Sequence, residues 1–388
     1  MKNQKIIPLK KLRNKKNFKK LMSLLIIPAV LLIVAVAFLL SARLLGNVAV
    51  SNAIDGIREI KTLFSDGKGF PYSPGEEKIS KIELIDNRVL ILSEDKCTVL
   101  DRKAGKWFEN QITNPDSKVI TENGRALIFS NNSKQVILQS QTEELGKINA
   151  DGQVVTATLG YNGAFATSHT GEETQSVLTV YNNRFEKEFQ WNCSNERIAS
   201  IALSKNGKSV AIAAVGVKDA EIYTRIVIFN TDETEAVRDL RFGGTFFVKL
   251  IWTNSDAIIA VGDNQTIVFD ETGEKTDSLI YDDHKLSCIK SDDKGNVAVC
   301  RTDLGGAKTY ITVFEEDGKR ACEKSYNGEI TDMDIDKNRF AVLIDGEITV
   351  YNFKGEEKKK VIPESAASML LLESGKCYTV ENGVICKY

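Results

Sequence analysis

The sequence predicts an all-β protein, a β-propeller of eight blades with seven as the alternative, preceded by one transmembrane helix. Three observations predict this architecture. Between about residue 82 and residue 388, a unit of short strands and polar turns recurs eight times with a mean period of about 41 residues. No segment of helical periodicity interrupts these repeats. Ahead of them, Leu21–Ala42 is a run of twenty-two residues without a charge.

The first twenty residues are strongly basic and directly precede the apolar run. They contain nine Lys or Arg side chains and no acidic one, whereas residues 44–388 hold 41 basic and 53 acidic side chains. As a helix rising about 1.5 Å per residue, the run spans about 33 Å, enough to cross a hydrocarbon core of about 30 Å. Because basic flanks stay in the cytosol, the C-terminal bulk is expected outside the cytoplasmic membrane.

A cleaved signal peptide is the competing interpretation, because small-x-small sequences occur at Ala49-Val50-Ser51 and Ser51-Asn52-Ala53. Apolar regions of signal peptides usually span about 7–15 residues, so the longer run favours an uncleaved anchor. The predicted organisation is then a basic cytosolic tail (1–20), a transmembrane helix (21–42), a stalk with a connecting segment (43–77) and an extracytoplasmic propeller (78–388).

Each repeat contains a polar turn, a strand that is apolar on both faces, a second turn and an alternating strand. In the fourth repeat, the first turn is Lys205–Lys208 and the two strands are Val210–Ala214 and Arg225–Phe229. Asn and Gly recur in the first turns because they accept the positive φ of tight hairpins. A strand that is apolar on both faces suits a sheet packed between two others. Four strands in 40–45 residues are typical of a propeller blade, and a β-sandwich is the runner-up.

The eighth repeat ends at its third strand, Gly383–Cys386. A ring left open at this point would expose the edges of its sheets. We therefore expect residues near Phe70–Lys78 to supply the missing outer strand and to close the circle.

The whole arrangement resembles a known family. The basic tail, the single anchor, the Gly-Phe-Pro-Tyr segment at Gly69–Tyr72 and the repeated Asn-Gly hairpins look like the single-pass, membrane-anchored propeller proteins of Gram-positive bacteria. That family is grouped as a domain of unknown function with a WD40- or quinoprotein-like propeller. The resemblance implies a fold and a location at the membrane, and it carries over no functional residue.

Residues that could carry chemistry are sparse, and no catalytic, cofactor-binding or metal-binding residue is predicted. His169 and His284 lie near turns of different repeats and are expected in solvated loops. Asp332, Asp334 and Asp336 alternate along an innermost strand and should reach the central channel, a basic side chain or a cation. A ligand or cation site at the channel mouth is the sharper hypothesis for these carboxylates, and ion pairing is the simpler one.

Aromatic and sulfur-containing residues suggest two further features. Trp107 and Trp191 fall near outer strands, where they could be exposed anchors for a partner or could pack at the sheet edge. Among the seven cysteines, Cys288 and Cys300 flank one hairpin and are the best disulfide candidates. Apolar filling of strands is the alternative for all seven.

These observations favour a non-enzymatic binding or scaffold module on the outer face of the cytoplasmic membrane. Its expected partners are the membrane and proteins of the cell envelope, with no nucleic acid and no cofactor. An enzyme of quinoprotein or hydrolase type at the channel mouth is one alternative, although quinone cofactors call for more Trp than the three present. A sensor that passes ligand binding inward through the stalk helix is the other.

Overall fold

The computed structural model describes residues 67–131 and 133–388, together with Val30, Leu32–Val34, Val36 and Ala37, which are α-helical. The chain divides into two compact units, Met1–Ser51 and Asn52–Tyr388. Within the described residues, no helix combines the length and the apolar character that a membrane crossing needs. The basic tail, the stalk and most of the predicted transmembrane helix lie outside the described residues and stay predictions.

Residues 79–387 form eight antiparallel sheets, and each sheet is one blade in which neighbouring strands follow chain order. Blades 1–4 comprise β1 (Ile79–Ile85), β2 (Arg88–Ser93), β3 (Lys96–Leu100), β4 (Lys106–Gln111); β5 (Lys118–Glu122), β6 (Arg125–Phe129), β7 (Gln135–Ser140), β8 (Glu144–Asn149); β9 (Val154–Leu159), β10 (Phe165–His169), β11 (Ser176–Tyr181), β12 (Lys187–Cys193); and β13 (Arg197–Leu203), β14 (Ser209–Lys218), β15 (Glu221–Asn230), β16 (Ala236–Gly243).

Blades 5–8 comprise β17 (Phe247–Trp252), β18 (Ile258–Gly262), β19 (Gln265–Phe269), β20 (Lys275–Ile280); β21 (His284–Ser291), β22 (Val297–Asp303), β23 (Lys308–Phe314), β24 (Arg320–Asn327); β25 (Asp332–Asp336), β26 (Arg339–Ile344), β27 (Glu347–Asn352), β28 (Glu357–Val361); and β29 (Ala367–Glu373), β30 (Lys376–Glu381), β31 (Val384–Lys387). The predicted eight-bladed propeller is confirmed, including the three-stranded eighth blade.

The core lies between the blades. The first strands of neighbouring blades contact each other around the axis, and the second strands are buried along almost their whole length, as in Arg88–Ser93. Both faces of a central sheet meet a neighbouring sheet, so apolar residues occupy consecutive positions. Between blades 6 and 7, for example, Phe340 is fully buried and its ring stacks on Tyr351 at a centroid distance of 5.2 Å.

The connections form two faces of the ring. We call the lower face the one with the turns between first and second and between third and fourth strands; the upper face carries the remaining connections. The asparagines predicted in the lower turns bridge neighbouring blades, because their side-chain amides donate to carbonyls of the next turn. These bonds are Asn123 to Tyr161 (2.9 Å), Asn162 to Asn206 (2.7 Å), Asn254 to Asp293 (3.0 Å) and Asn296 to Lys337 (3.0 Å).

The ring is closed by Tyr72, which exchanges two backbone hydrogen bonds with Ile385 of β31, each 2.8 Å long. The segment before β1 thus contacts blade 8 as predicted, but the predicted fourth strand is not formed and one bridge pair takes its place. Pro71 and Pro74 flank Tyr72, and proline has no N–H to extend the ladder. The Phe70 ring adds an edge contact with Tyr378 at 5.2 Å.

Blade 4 differs from the sequence prediction. Its second and third strands have ten residues each, so β14 and β15 continue together well beyond Val210–Ala214 and Arg225–Phe229. The turn between them places Asp219 and Ala220 at φ 52° and 66°. Two consecutive positive φ values define a type I′ turn, which usually contains Asn or Gly, so its sequence signal is absent here.

Candidate functional site

Three carboxylates were predicted to reach the channel. In the structure they link blade 7 to blade 8 through hydrogen bonds. Asp332, Asp334 and Asp336 alternate on β25, while Met333 and Ile335 between them are buried in the core as predicted. Each carboxylate accepts a hydrogen bond from a backbone N–H of β29 or the turn after it. The donors are Leu370, Leu372 and Ser374, at 2.8, 2.7 and 2.6 Å respectively. The carboxylates thereby satisfy inner-strand N–H groups that no neighbouring strand bonds.

Lys290 on β21 provides the basic partner that the sequence analysis expected. Its ammonium lies 3.2 Å from a carboxylate oxygen of Asp332. Burial opposes its charge, but Asp332 and Asp334 outweigh this effect and raise the pKa of Lys290. In the part of the chain that the structure describes, no three His, Cys, Asp or Glu side chains converge as metal ligands. The geometry therefore gives the Asp run a role between blades, and a cation or ligand site at these carboxylates stays a prediction.

Asp334 is the most buried of the three and should make stability depend on pH. Burial raises its pKa to about 7, although Lys290 and the Leu372 N–H counteract this effect. A carboxyl whose folded pKa is raised stabilises the fold when protonated, and this stabilisation is lost as pH rises through the folded pKa. We expect the wild type to gain stability relative to Asp334→Asn as pH falls from 8 to 5, by up to about 1.4 kcal/mol per pH unit.

Urea unfolding of the wild type and Asp334→Asn at pH 5, 6, 7 and 8 measures this difference. Asparagine keeps an acceptor for the Leu372 N–H, so the comparison isolates ionisation. A difference between the two proteins that stays constant over this pH range would contradict the assignment.

Two other charged side chains on first strands have shifted pKa values. Burial raises the pKa of Glu122 on β5, and Asp292 and Asp293 of blade 6 add to this effect. Burial also lowers the pKa of Lys249 on β17, which interacts with Lys81 and Glu122. Blades 2 and 5 are not neighbours in the ring, so the pKa values of Glu122 and Lys249 depend on charged groups of both signs from distant blades.

Trp107 is half-buried on β4 and packs against the core between blades 1 and 2. The Arg88 guanidinium lies over its ring, 5.0 Å from the centroid. The indole N–H is buried and has no acceptor among the described residues. These contacts match the packing alternative of the sequence analysis.

Trp191 is also half-buried, but it borders an open cleft of about 520 Å³ at the junction of blades 3 and 4. Arg225 and Arg241 line the same cleft, and the Arg225 guanidinium lies 5.6 Å from the Trp191 ring centroid. Asp239 binds Arg225 through two hydrogen bonds of 2.7 and 2.6 Å. A position beside such a cleft is compatible with the partner-facing hypothesis for Trp191.

The floor of the cleft is Glu196, which is only 5% exposed. The Tyr223 hydroxyl donates to one of its oxygens at 2.9 Å, and the Cys193 thiol donates to the other at 3.2 Å. Gly216, opposite Tyr223 in the β14–β15 ladder, makes room for this ring, because an added Cβ would lie 2.6 Å from it. Glu196 thus fixes the base of the extended blade 4 hairpin. The sequence does not predict this buried position of Glu196, because Asn195-Glu196-Arg197 has the composition of a polar turn.

The two histidines lie in different blades, and the seven cysteines are distributed along the propeller. His169 is buried at the end of β10, which corrects the expectation of a solvated loop, and its Nδ1 lies 3.1 Å from the Thr170 carbonyl. His284 is half-buried with its ring against Tyr310. All seven cysteines are free thiols, although Cys288 and Cys300 lie directly opposite each other in the β21–β22 ladder.

Exposed apolar side chains are concentrated on the upper face. Of the described propeller residues, seven large apolar side chains are exposed, and Val237 is the one at the lower side of its blade. The other six lie in or next to upper connections of blades 4–7. They are Val217, Ile222, Phe246, Ile280, Leu304 and Ile362, with exposed fractions between 37% and 75%. Single exposed apolar residues are ordinary, but their concentration on one face marks a candidate interaction surface.

Comparisons with solved structures support the fold alone. The chain is similar to BamB from Moraxella catarrhalis, with a TM-score of 0.50 and 13% identity over 82% of this chain and 99% of that one. It is also similar to the Dos1 propeller, with a TM-score of 0.53 and 13% identity over 77% and 85% of the two chains. No curated protein matches the sequence. Residues 72–385, which comprise nearly the whole propeller, match a family described as "Family of unknown function (DUF5711)", and the chain belongs to that family.

Proposed function

We propose that this protein is a scaffold, anchored in the cytoplasmic membrane through residues 21–42, whose propeller binds protein partners outside the membrane. The observation that carries the proposal is the concentration of exposed apolar side chains on the upper face. Leu304 and Ile362, in upper connections of the ring, are 74% and 75% exposed. When a partner covers exposed apolar surface, the complex is stabilised by about 25 cal/mol per Å² of surface removed from water.

The described propeller chain begins at the opposite, lower face. Before it reaches Tyr72, the backbone of Gly69 donates to the carbonyl of Lys103, in the lower turn between β3 and β4. Gly69, near the start of the described propeller chain, therefore lies at the lower face. The basic tail and the uncharged run support the anchor and its orientation.

Cross-linking of intact cells tests the partner and the location together. Cells would express the full-length protein with an N-terminal tag, and a membrane-impermeant amine-reactive cross-linker would be added outside. We expect one set of envelope proteins to be enriched with the wild type and reduced at least tenfold with the double variant Leu304→Asp/Ile362→Asp. Removal of residues 2–20 should leave the set unchanged wherever the protein still inserts.

Val237→Asp is the control, because it places an aspartate at an exposed apolar position on the lower side. Equal enrichment by the double variant and by the control would contradict a role of the upper face. Cross-links that form only after cell lysis would contradict the extracytoplasmic location.

A further inference from the structure

The β14–β15 hairpin rises above the upper face. Its strands have ten residues each, whereas the second and third strands of the other blades have four to seven. At about 3.3 Å per residue, the extra length amounts to roughly 10 Å. Its tip, Asp219-Ala220, is exposed. Among the described blades, blade 4 is thus the one that presents a ridge on this face.

One side of this ridge is apolar. Val217 and Ile222 are directly opposite each other in the ladder and are 68% and 54% exposed. They lie on the same side of the sheet as Ala213 and Ile226, which pack against blade 5. Phe246, in the connection to blade 5, is 37% exposed. We call these three residues, Val217, Ile222 and Phe246, the hairpin notch.

The notch is held in place on both sides. The Gly244 N–H donates to the Ile222 carbonyl at 3.0 Å, and the Phe246 N–H donates to the Asp263 carboxylate at 2.9 Å. On the other side of the ridge, the Tyr223–Glu196 bond fixes the hairpin base. A preorganised surface loses little conformational entropy on binding, so its apolar area contributes more fully to affinity.

The upper connections beside the notch are acidic. In the upper connections of blades 4 and 5, residues 218–221, 244–246, 263–264 and 281–283, one exposed Lys accompanies five exposed carboxylates. The carboxylates belong to Asp219, Glu221, Asp263, Asp282 and Asp283, and the cation is Lys218. A second copy of this face would meet like charge, and so would an anionic lipid surface. Charge complementarity instead favours a basic protein segment.

We propose that the hairpin notch docks a partner protein through a segment that combines apolar anchor residues with Lys or Arg. The inference rests on the proposed scaffold function and deepens it by naming the surface and the chemistry of the partner. The apolar anchors fill the space between Val217, Ile222 and Phe246. The cations lie against Asp219, Glu221 and Asp263.

A photo-cross-linker at position 246 tests the proposal. Full-length protein with p-benzoylphenylalanine in place of Phe246 would be irradiated in cells, and the cross-linked peptide would be sequenced by mass spectrometry. We expect a peptide with net positive charge and large apolar residues next to the cross-link. In the Val217→Asp/Ile222→Asp background, the adduct should fall at least tenfold, while Val237→Asp should leave it unchanged. Thermal melts of the variants verify that they fold.

The charge of the surface is tested with the same adduct. Asp219→Lys/Glu221→Lys should reduce it several-fold at low salt, and the difference from the wild type should shrink as salt screens the charges. An adduct with an acidic peptide, a second copy of the chain or a lipid would overturn the proposal.

Cross-linkers at Leu304 and Ile362 separate this inference from the proposed function. Adducts at either of these positions without one at 246 would refute the hairpin notch and leave the scaffold function standing. Absence of protein adducts at all three positions would refute both.

Discussion

A variant in which Asp332, Asp334 and Asp336 are all replaced by alanine should unfold at a much lower temperature than the wild type. These carboxylates accept the N–H groups of Leu370 and Leu372, whose residues are 2% and 0% exposed. A buried donor left without an acceptor costs about 1–3 kcal/mol, so two of them cost about 2–6 kcal/mol. At about 2–4 °C per kcal/mol for a large domain, the melting temperature should fall by roughly 10 °C.

The triple asparagine variant is the matched control, since each amide oxygen can still accept an N–H. It should melt well above the alanine variant at neutral pH, because it keeps the hydrogen bonds and both variants alike remove the carboxylates beside Lys290. If the alanine and asparagine variants melt together, the carboxylates do not hold blades 7 and 8 together through these bonds. Differential scanning calorimetry of the isolated propeller, residues 67–388, measures both variants.

A propeller that begins at Lys81 should be less stable than one that begins at Gly67. The shorter chain lacks Phe70 and Tyr72, which pack against the core around Tyr378 and Ile385, and it lacks the buried Ile79. Large apolar side chains contribute about 1.5–3 kcal/mol each when fully buried, so the expected loss is on the order of 4 kcal/mol. The shorter chain also lacks the two backbone hydrogen bonds of Tyr72, so the N–H and C=O groups of Ile385 at the outer edge of β31 lose their partner.

An unpaired sheet edge promotes association, so the shorter chain should also form dimers or aggregates. Urea unfolding measures the loss of stability, and size-exclusion chromatography with light scattering measures the association. The double variant Phe70→Ala/Tyr72→Ala in the longer chain separates packing from chain length, because it keeps the backbone bridge. Equal stability of the chains starting at Gly67 and at Lys81 would show that blade 8 does not need the segment before β1.

Most of the fold could be predicted because its signals are local and repeated. A few consecutive residues are enough to predict a turn such as Lys205–Lys208 or a strand such as Arg225–Phe229. The pattern occurs eight times, which strengthens the prediction. The blade 4 hairpin was missed because its Asp219-Ala220 turn adopts positive φ without Asn or Gly. His169 was misplaced because a histidine near a turn looks solvated, and only the packing of neighbouring blades buries it.

For the candidate site, the sequence by itself determined the direction of side chains but not their partners. Alternation on an innermost strand placed Asp334 on the side opposite Met333. That Asp334 binds the Leu372 N–H, thirty-eight residues away, was decided by the packing of blade 8 beside blade 7. Likewise, the sequence gives no sign that Val217 and Phe246 are exposed. The tertiary structure places both on the upper face. Dihedral preferences and period-two patterns depend on consecutive residues, so the sequence shows them directly. Contacts between blades join residues far apart in the sequence, so they are defined only when the ring closes in the tertiary structure.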